Sequence, residues 1–430
     1  LMALSKITNL SITDDAVRTV GIQDVAVTGA KINDDAISGQ GALGAAPADT
    51  DEFLVSDAGT LKRVDYSYIK GITQSSFLPT AAPLIIGGDM AVAQRATSST
   101  GLTGSGYFTV DRMHWQNDTL GTWTQIQEAQ TSGDAFDAGF ATAFRVDCTT
   151  ADASPAAADF LQFHYVLEGQ DVQMFKKGTS NAETYTVAFW VKSNKTGTAQ
   201  VNLYDDNSRI CSGTYTISSG DTWEHKIVTF AADTTNAIDN DNSAGIEIGW
   251  ALDAGSNYTS GTVATAWETK AATDESVENL SLGDSTSNDW AITGIQLEVG
   301  TYTSSDLPPF RFESFGDNLR RCQRYYENSF TVGEYPGTDT TGTNSGLNTS
   351  WADGNCPLPG GGKFKVTKRA APSIVLRARG STTVAQLTSD GTARTAVAAG
   401  IGTEGCEYVT ITSGTAASYT GGSWEASAEL

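Results

Sequence analysis

The chain has 430 residues, of which 44 are glycine, and only 18% are charged. This length predicts two or three domains. A turn-rich, lightly charged composition with much threonine and serine is typical of all-β proteins with many short strands. No apolar run approaches the ~18 residues of a membrane span, and the first ten residues lack the basic and apolar parts of a signal peptide. We therefore expect a chain that folds in a cytosol without membrane insertion.

The net charge of −23 is distributed unevenly, with −22 in residues 1–300 and −1 in residues 301–430. An acidic body argues against nucleic-acid binding. A near-neutral C-terminal region meets less repulsion at an anionic cell surface. The five cysteines are far apart and odd in number, so the sequence predicts buried free thiols rather than a disulfide framework or a zinc site.

A short unit repeats at ten-residue intervals near the start of the chain. The segments ITDDAV, IQDVAV and INDDAI begin at Ile12, Ile22 and Ile32. One unit cannot bury its own two apolar positions, so it must stack on neighbours or on copies from other chains. We predict that residues 1–50 form a thin stalk shared by identical chains, with a disordered acidic leader as the alternative.

Residues 51–83 predict a hairpin and a linker. Phe53 and Val55 alternate into the turn Asp57-Ala58-Gly59, and Leu61 to Val64 return. A proline-containing linker then leads into the largest region.

Residues 84–310 predict one large β-sandwich, because short alternating segments recur between polar turns. The predicted strands are Phe144–Cys148, Phe160–Leu167, Tyr185–Val191, Val201–Tyr204, Thr222–Phe230, Ile246–Leu252 and Trp290–Val299. The polar stretch 253–289 is predicted to be a surface loop.

A short helix is predicted in residues 311–330. Ser314 with Asp317 forms a capping box, and Leu319, Cys322 and Tyr326 fall on one helical stripe. Residues 331–430 then predict a small β head with thin apolar content, so oligomerisation would supply the missing burial. Its expected strands begin at Phe364 and lie around Ala385–Leu387, Cys406–Ile411 and Trp424–Ala428.

No pattern in the sequence predicts catalysis. The three histidines, His114, His164 and His225, have no nucleophile motif beside them and are expected to be structural or surface residues. The run Asp239-Asn-Asp-Asn-Ser243 alternates oxygen ligands suited to calcium but departs from the EF-hand pattern. A structural calcium and an exposed polar loop both remain open there, and no other cofactor is expected.

Exposed tryptophans are candidates for stacking on sugar rings. Trp190, Trp250 and Trp290 are predicted to belong to the sandwich. Five others lie outside clean apolar alternation, although a single tryptophan is more often core than ligand platform: Trp115, Trp123, Trp267, Trp351 and Trp424. The polar segment 331–362 has the character of a binding loop on a β scaffold. The candidate glycan-binding residues there are Trp351, Asn348, Asp353 and Tyr335.

Several stretches resemble bacteriophage tail fibres and receptor-binding tail proteins. The run GIQLEVG…FRFES…NLRRCQRYYE, from Gly294 to Glu327, is similar to the junction between a carbohydrate-module-like sandwich and a C-terminal head in that family. The hairpin DEFLVSD…LKR, the start GGDMAVAQR, the strand YTVAFWVK, the stretch VTKRAAP and the N-terminal repeats also resemble segments of such proteins.

The resemblance implies a jelly-roll sandwich within an elongated homotrimer of the virion tail, assembled in the host cytoplasm. It implies attachment to other tail proteins through the N-terminus and adsorption to a host surface glycan, without enzyme activity. Two alternatives stay open: a purely structural tail or capsid-decoration protein, and a polysaccharide depolymerase, which would need two carboxylates ~5–10 Å apart.

Overall fold

The computed structural model describes residues 43, 47–58, 60–69, 82–335, 347–349, 355–356, 363–378, 380–381, 383–389, 392–411 and 420–430. The chain divides into two compact units, Leu1–Phe77 and Leu78–Leu430. The repeats at Ile12, Ile22 and Ile32, and with them most of the predicted stalk, lie outside the described residues.

The predicted hairpin of the first unit is confirmed. Strands β1 (Glu52–Asp57) and β2 (Thr60–Asp65) pair antiparallel, with Asp57 opposite Thr60, so the loop has two residues. Ala58 has a φ of 49°, the left-handed conformation that tight hairpin loops require. Every residue of β1 is exposed.

Residues 98–299 form a sandwich of two six-stranded antiparallel sheets. The front sheet has the order β13-β10-β9-β12-β7-β4, and the back sheet has the order β11-β8-β14-β6-β5-β3. Successive strands pass repeatedly from one sheet to the other, as in jelly-roll sandwiches. The strands are β3 (Ser98–Leu102), β4 (His114–Asp118), β5 (Thr122–Ala129), β6 (Thr142–Thr150), β7 (Phe160–Glu168), β8 (Tyr185–Ser193), β9 (Gly197–Asp205), β10 (Arg209–Ile217), β11 (Glu224–Phe230), β12 (Ala244–Ala254), β13 (Glu268–Thr269) and β14 (Asp289–Val299).

The inner faces of the two sheets enclose one large apolar core. Period-two alternation on β7 points Phe163 and Tyr165 into this core, where Phe163 contacts Trp250 of β12 and Trp290 of β14. Full burial of an aromatic side chain stabilises by about 2–3 kcal/mol, so these rings supply much of the driving force for folding.

All seven predicted sandwich strands are present.

The placement of the tryptophans differs from the prediction. Trp115 and Trp123 are fully buried and pack edge to face, with ring centroids 5.4 Å apart. Trp267 is buried at 8% exposure because its segment folds over the sandwich, and its indole N–H donates to the carbonyl of Ala231. Trp424 is partly buried against Phe364. None of these four tryptophans has the exposed ring face that the sequence pattern led us to consider for stacking on a sugar.

The predicted cap of the junction helix is confirmed. This helix, α3 (Phe315–Gln323), begins after Ser314, whose side chain accepts from the backbone N–H of Asp317. Two one-turn helices precede it among the described residues of the second unit, α1 (Asp134–Asp137) and α2 (Ser256–Thr259). The 3₁₀ turns are Gly169–Asp171, Gln173–Phe175, Ala272–Asp274 and Leu282–Asp284. No helix in the described parts of the chain is long and apolar enough to cross a membrane.

A head sheet follows the junction helix, with the order β15-β22-β19-β20-β21-β17, while β16 and β18 also pair with β22. Its strands are β15 (Tyr326–Asn328), β16 (Leu347–Thr349), β17 (Asn355–Cys356), β18 (Ser373–Ala378), β19 (Gln386–Ser389), β20 (Thr392–Gly402), β21 (Gly405–Ile411) and β22 (Thr420–Ser427). The run predicted to start at Phe364 becomes a strand only at Ser373, because residues 365–372 form bends that dock on the junction. Cys148, Cys211, Cys322 and Cys406 are buried free thiols, as predicted.

Candidate functional site

The outer face of the front sheet carries polar side chains from five neighbouring strands. On β7 the residues that alternate with the buried Phe163 and Tyr165 are Gln162 and His164, so they point away from the core. Register brings His164 opposite His114 of β4 on one side and opposite Gly249 of β12 on the other.

Hydrogen bonds tie these side chains into one network. Nδ1 of His164 lies 2.7 Å from Oε1 of Glu247, and its Nε2 contacts Nδ1 of His114. Gln162 donates to Oε1 of Glu247 at 3.2 Å and accepts from the hydroxyl of Tyr204 at 3.2 Å. Each group is therefore held in place by its neighbours before any ligand arrives.

Glycine at position 249 makes this arrangement possible. A Cβ atom there would lie 2.6 Å from Cδ of Gln162, closer than real contacts allow. The missing side chain lets Gln162 lie flat across the sheet and reach both Glu247 and Tyr204.

The stretch 255–284 covers one half of the outer face, which corrects the prediction that it is a plain surface loop. Asn202 donates to the carbonyl of Glu275 at 2.8 Å, and Gln200 donates to that of Asp274 at 2.6 Å. Amides that would otherwise meet solvent on β9 are thereby buried. The half over β4, β7 and β12 is left partly open.

We call this open half the shelf, and it consists of His114, Gln116, Asp118, His164 and Glu247. The side chains of His164 and Glu247 are 13% and 31% exposed, so both are fixed yet reachable from solvent. Gln116 donates to Asp118 at 2.7 Å along the edge strand.

The pKa shifts on the shelf follow from burial and from neighbouring charges. Burial and the nearby His164 lower the pKa of His114 to about 3, so its ring is neutral at neutral pH. Burial opposes ionisation of Glu247, but the hydrogen bond and charge of His164 outweigh it and lower the pKa of the carboxyl. The shelf therefore presents a carboxylate and a neutral imidazole at physiological pH.

The predicted glycan-binding residues are not gathered at the shelf. Tyr335 lines a cleft beside the junction helix. Asn348 lies on β16 with its backbone opposite Gly421 of β22. Trp351 and Asp353 lie outside the described residues. Sequence reasoning missed the shelf because His114, His164 and Glu247 are far apart in the chain and only the sheet register brings them together.

The polar run Asp239–Ser243, for which a calcium site was left open, is engaged in protein contacts. Asp241 accepts from the backbone N–H of Ser243 at 2.8 Å, while the carbonyl of Asn242 accepts from Arg369 of the head at 2.8 Å. Within the described parts of the chain, no group of three His, Cys, Asp or Glu residues is placed to hold a metal ion.

Fold and shelf together define a jelly-roll β-sandwich with a polar outer face, joined to a β head. No protein-family model and no curated protein matches this sequence. Among solved structures, the chain is similar to the enzymatically active domain of tailspike protein 4 of bacteriophage CBA120. The identity is 11% and the TM-score 0.26, over 50% of this chain and 21% of that one.

Two carbohydrate-binding modules are similar to a comparable degree. TmCBM61, in complex with β-1,4-galactotriose, shows 7% identity and a TM-score of 0.25, over 51% of this chain and 99% of that one. The family 11 module of Clostridium thermocellum, in complex with a β-1,3-1,4-mixed-linked tetrasaccharide, shows 9% identity and a TM-score of 0.24, over 48% and 99%. With TM-scores this low, these similarities carry no argument about function.

Proposed function

We propose that this chain is a tail fibre, a structural protein of a phage tail, that binds the virion to a glycan on the host cell surface. The observation that supports binding most directly is the shelf, where hydrogen bonds fix polar side chains that solvent still reaches. The tail assignment is supported by the sequence resemblance of the repeats, the hairpin and the junction.

The chemistry of the shelf suits a polyhydroxyl ligand. Carboxylate oxygens accept, amide nitrogens donate, and a neutral imidazole does either, so the shelf matches hydroxyl groups of both hydrogen-bonding senses. Neighbouring strands lie ~4.8 Å apart, so these groups are regularly spaced across the face. Because the side chains are already ordered, a ligand meets a small entropy cost on binding.

The head loops are a second proposed contact with the host. Trp351 would stack on a sugar ring, while Asn348, Asp353 and Tyr335 would bind hydroxyl groups. In this proposal, residues 1–70 attach the chain to other tail proteins, and three chains share the stalk. Particles assembled with protein that lacks residues 1–70 are then expected to carry no fibre. Particles with a normal fibre content would mean that the N-terminus is not the attached end.

The binding test compares two histidines on opposite sheets. Purified full-length protein is screened against an array of bacterial surface polysaccharides, and hits are titrated by calorimetry. His164→Ala removes the hydrogen-bonding centre of the shelf and is expected to weaken binding about tenfold, the effect of ~1.4 kcal/mol. His225→Ala on the back sheet serves as the matched control and is expected to leave affinity unchanged.

The outcomes separate the three functional classes. A wild-type protein that binds no polysaccharide on the array contradicts glycan binding and favours a purely structural role. Release of new reducing ends from a bound polysaccharide favours the depolymerase. Binding that His164→Ala and His225→Ala weaken equally removes the shelf from the site, and Trp351→Ala then tests the head loops by adsorption to host cells.

A further inference from the structure

A cleft lies where the start of the sandwich, the junction helix and the first turn of the head meet. The helix contributes Phe315, Leu319 and Gln323, which are four residues apart and therefore share one face. Phe330, Val332 and Tyr335 form part of the opposite wall. The helix stripe predicted from the sequence is only partly formed. It shares Leu319 with this face, whereas Tyr326 lies beyond the end of the helix, on β15.

The cleft is small and has a mixed polar and apolar lining. Its volume is about 110 Å³, which is smaller than the ~150 Å³ of a protein cavity that admits a benzene ring. A whole sugar ring does not fit inside, but a substituent of about four non-hydrogen atoms does. Phe315 is 48% exposed and Val332 is 58% exposed, so the rim offers apolar surface to solvent.

Gln323 is the side-chain amide without a partner among the described residues of this cleft. The residue is 7% exposed, and its side-chain amide makes no hydrogen bond within the described part of the chain, so the amide faces the solvent in the cleft. The neighbouring amides are engaged, since Gln127 donates to the carbonyl of Met90 at 2.7 Å and Asn328 donates to that of Gln94 at 2.8 Å. A ligand that pairs with this amide therefore makes hydrogen bonds that the protein itself does not supply.

We infer that this cleft binds the N-acetyl group of an acetamido sugar, an inference that rests on the proposed glycan-binding function. An acetamido group has one N–H donor, one carbonyl acceptor and one methyl group. The amide of Gln323 donates to that carbonyl and accepts from that N–H, a pairing that neither an alkyl group nor an anion can make. The methyl group packs against Leu319 and Phe330, while the sugar ring covers Phe315 at the rim.

Charge in the cleft agrees with a neutral ligand. Lys365 and Glu334 both line it, so the formal charges cancel. The lysine ammonium is also directed to the carbonyl of Asn328, at 3.5 Å. A phosphate or carboxylate ligand would meet Glu334 and would use only the donor half of the glutamine amide.

The test uses two trisaccharides that differ at the acetamido group, tri-N-acetylchitotriose and cellotriose, with the full-length protein. The wild type is expected to bind the acetylated sugar at least tenfold more tightly, which corresponds to the two hydrogen bonds and the buried methyl group. Saturation-transfer NMR is expected to give the largest transfer at the acetyl methyl protons.

Variants on one helix then isolate Gln323. Gln323→Leu keeps the size and helix propensity but removes the amide, and is expected to abolish the preference for the acetylated sugar. Arg320→Leu introduces the same residue on the exposed side of the helix, where Arg320 is 70% exposed, and is expected to change nothing. Equal melting temperatures of the two variants establish that Gln323→Leu is folded.

Other results overturn the inference without touching the proposed function. Equal affinity for the two trisaccharides, or an unchanged preference in Gln323→Leu, means that the cleft holds only water. A preference lost in His164→Ala but kept in Gln323→Leu moves acetamido recognition to the shelf. A wild-type protein that binds bacterial polysaccharides but neither trisaccharide rejects the acetamido cleft alone, whereas one that binds no glycan rejects the proposed function itself.

Discussion

Different interactions stabilise the sandwich and the head. The sandwich has a continuous apolar core built from both sheets. The apolar cluster in the described part of the head has only five buried residues: Leu376, Leu387, Ala396, Cys406 and Val409. The head compensates with buried ion pairs, several of which reach into the sandwich.

The sequence Arg324-Tyr-Tyr-Glu327 is the centre of these contacts. Arg324 and Tyr325 both bind Glu168 of β7, at 2.7 Å and 2.6 Å. Glu327 is fully buried and pairs with the fully buried Lys368 at 2.6 Å. Such pairs favour one arrangement of the groups but add little to the free energy of unfolding, because the cost of desolvation offsets much of the attraction.

Residues 428–430 complete the attachment. Glu429 accepts from Arg95 at 3.0 Å and also binds Arg112, while the two guanidinium groups lie 3.7 Å and 3.5 Å from the ring centres of Tyr326 and Tyr325. Arg95 and Arg112 belong to the sandwich, so a carboxylate from the head neutralises charges that the sandwich buries. A fragment of residues 84–310 would lack this carboxylate and would have to bury the two guanidinium groups without it.

The largest expected effect comes from Glu429→Gln. The substitution keeps the shape but leaves Arg95 and Arg112 without their shared countercharge, and breaking a buried pair in this way costs about 3–5 kcal/mol. Urea denaturation measures the loss. Glu404→Gln, an exposed position on the head, is the control and is expected to change stability by less than about 0.5 kcal/mol. If the two variants unfold alike, ion pairs do not hold the head to the sandwich.

A matched pair of core truncations compares the two regions directly. Leu203 in the sandwich and Leu387 in the head are both buried, at 0% and 1% exposure. Leu→Ala costs about 2–5 kcal/mol, depending on how far the surroundings relax. We expect a loss near 4 kcal/mol for Leu203→Ala, where rigid sheets enclose the cavity, and near 2 kcal/mol for Leu387→Ala. Denaturant midpoints check the order, and equal or reversed losses would mean that the head packs as tightly as the sandwich.

Patterns among neighbouring residues predicted the strands and the helix start, which depend mainly on interactions within a short segment. Alternation in Tyr185–Ser193 and Asp289–Val299 indicated buried strands, and Ser314 with Asp317 indicated the helix start. The strand Arg209–Ile217 was missed because its sequence, RICSGTYTI, mixes small and polar residues within the apolar alternation.

Features that depend on contacts between distant residues were not predictable in this way. Trp115 and Trp123 lie in polar surroundings along the chain, and only the closure of the sandwich buries them. The shelf needs the register of three strands, and the solitary amide of Gln323 is evident only once its neighbours are seen to be engaged elsewhere. Gln94 and Arg95 are the contact residues that the sequence came nearest to predicting. They end the segment GGDMAVAQR, which belongs to the resemblance, and both reach the junction.

The smallest expected effect concerns acid sensitivity, which we expect to belong to the sandwich because all three histidines of the chain lie there. The folded state holds the pKa of His114 at about 3 through burial and the neighbouring His164, with Arg95 acting in the same sense and Glu247 against it. In the unfolded state this pKa returns to ~6.5. Between these values only the unfolded chain binds the proton, so stability falls as pH falls, by about 1 kcal/mol at pH 5.5.

His114→Gln isolates this effect. Burial raises the pKa of Asp111 to about 6, and its contribution runs the other way, because stability rises as pH falls through that value. The test therefore compares the melting temperature of the variant with that of the wild type at the same pH, so that the contribution of Asp111 cancels. We expect thermal melts from pH 7 to pH 5 to show a smaller acid-induced loss in His114→Gln than in wild type. His225→Gln, whose pKa burial also lowers, is expected to show a weaker change of the same sign. Parallel curves for all three proteins would place the acid-sensitive groups outside the histidines and remove this distinction between sandwich and head.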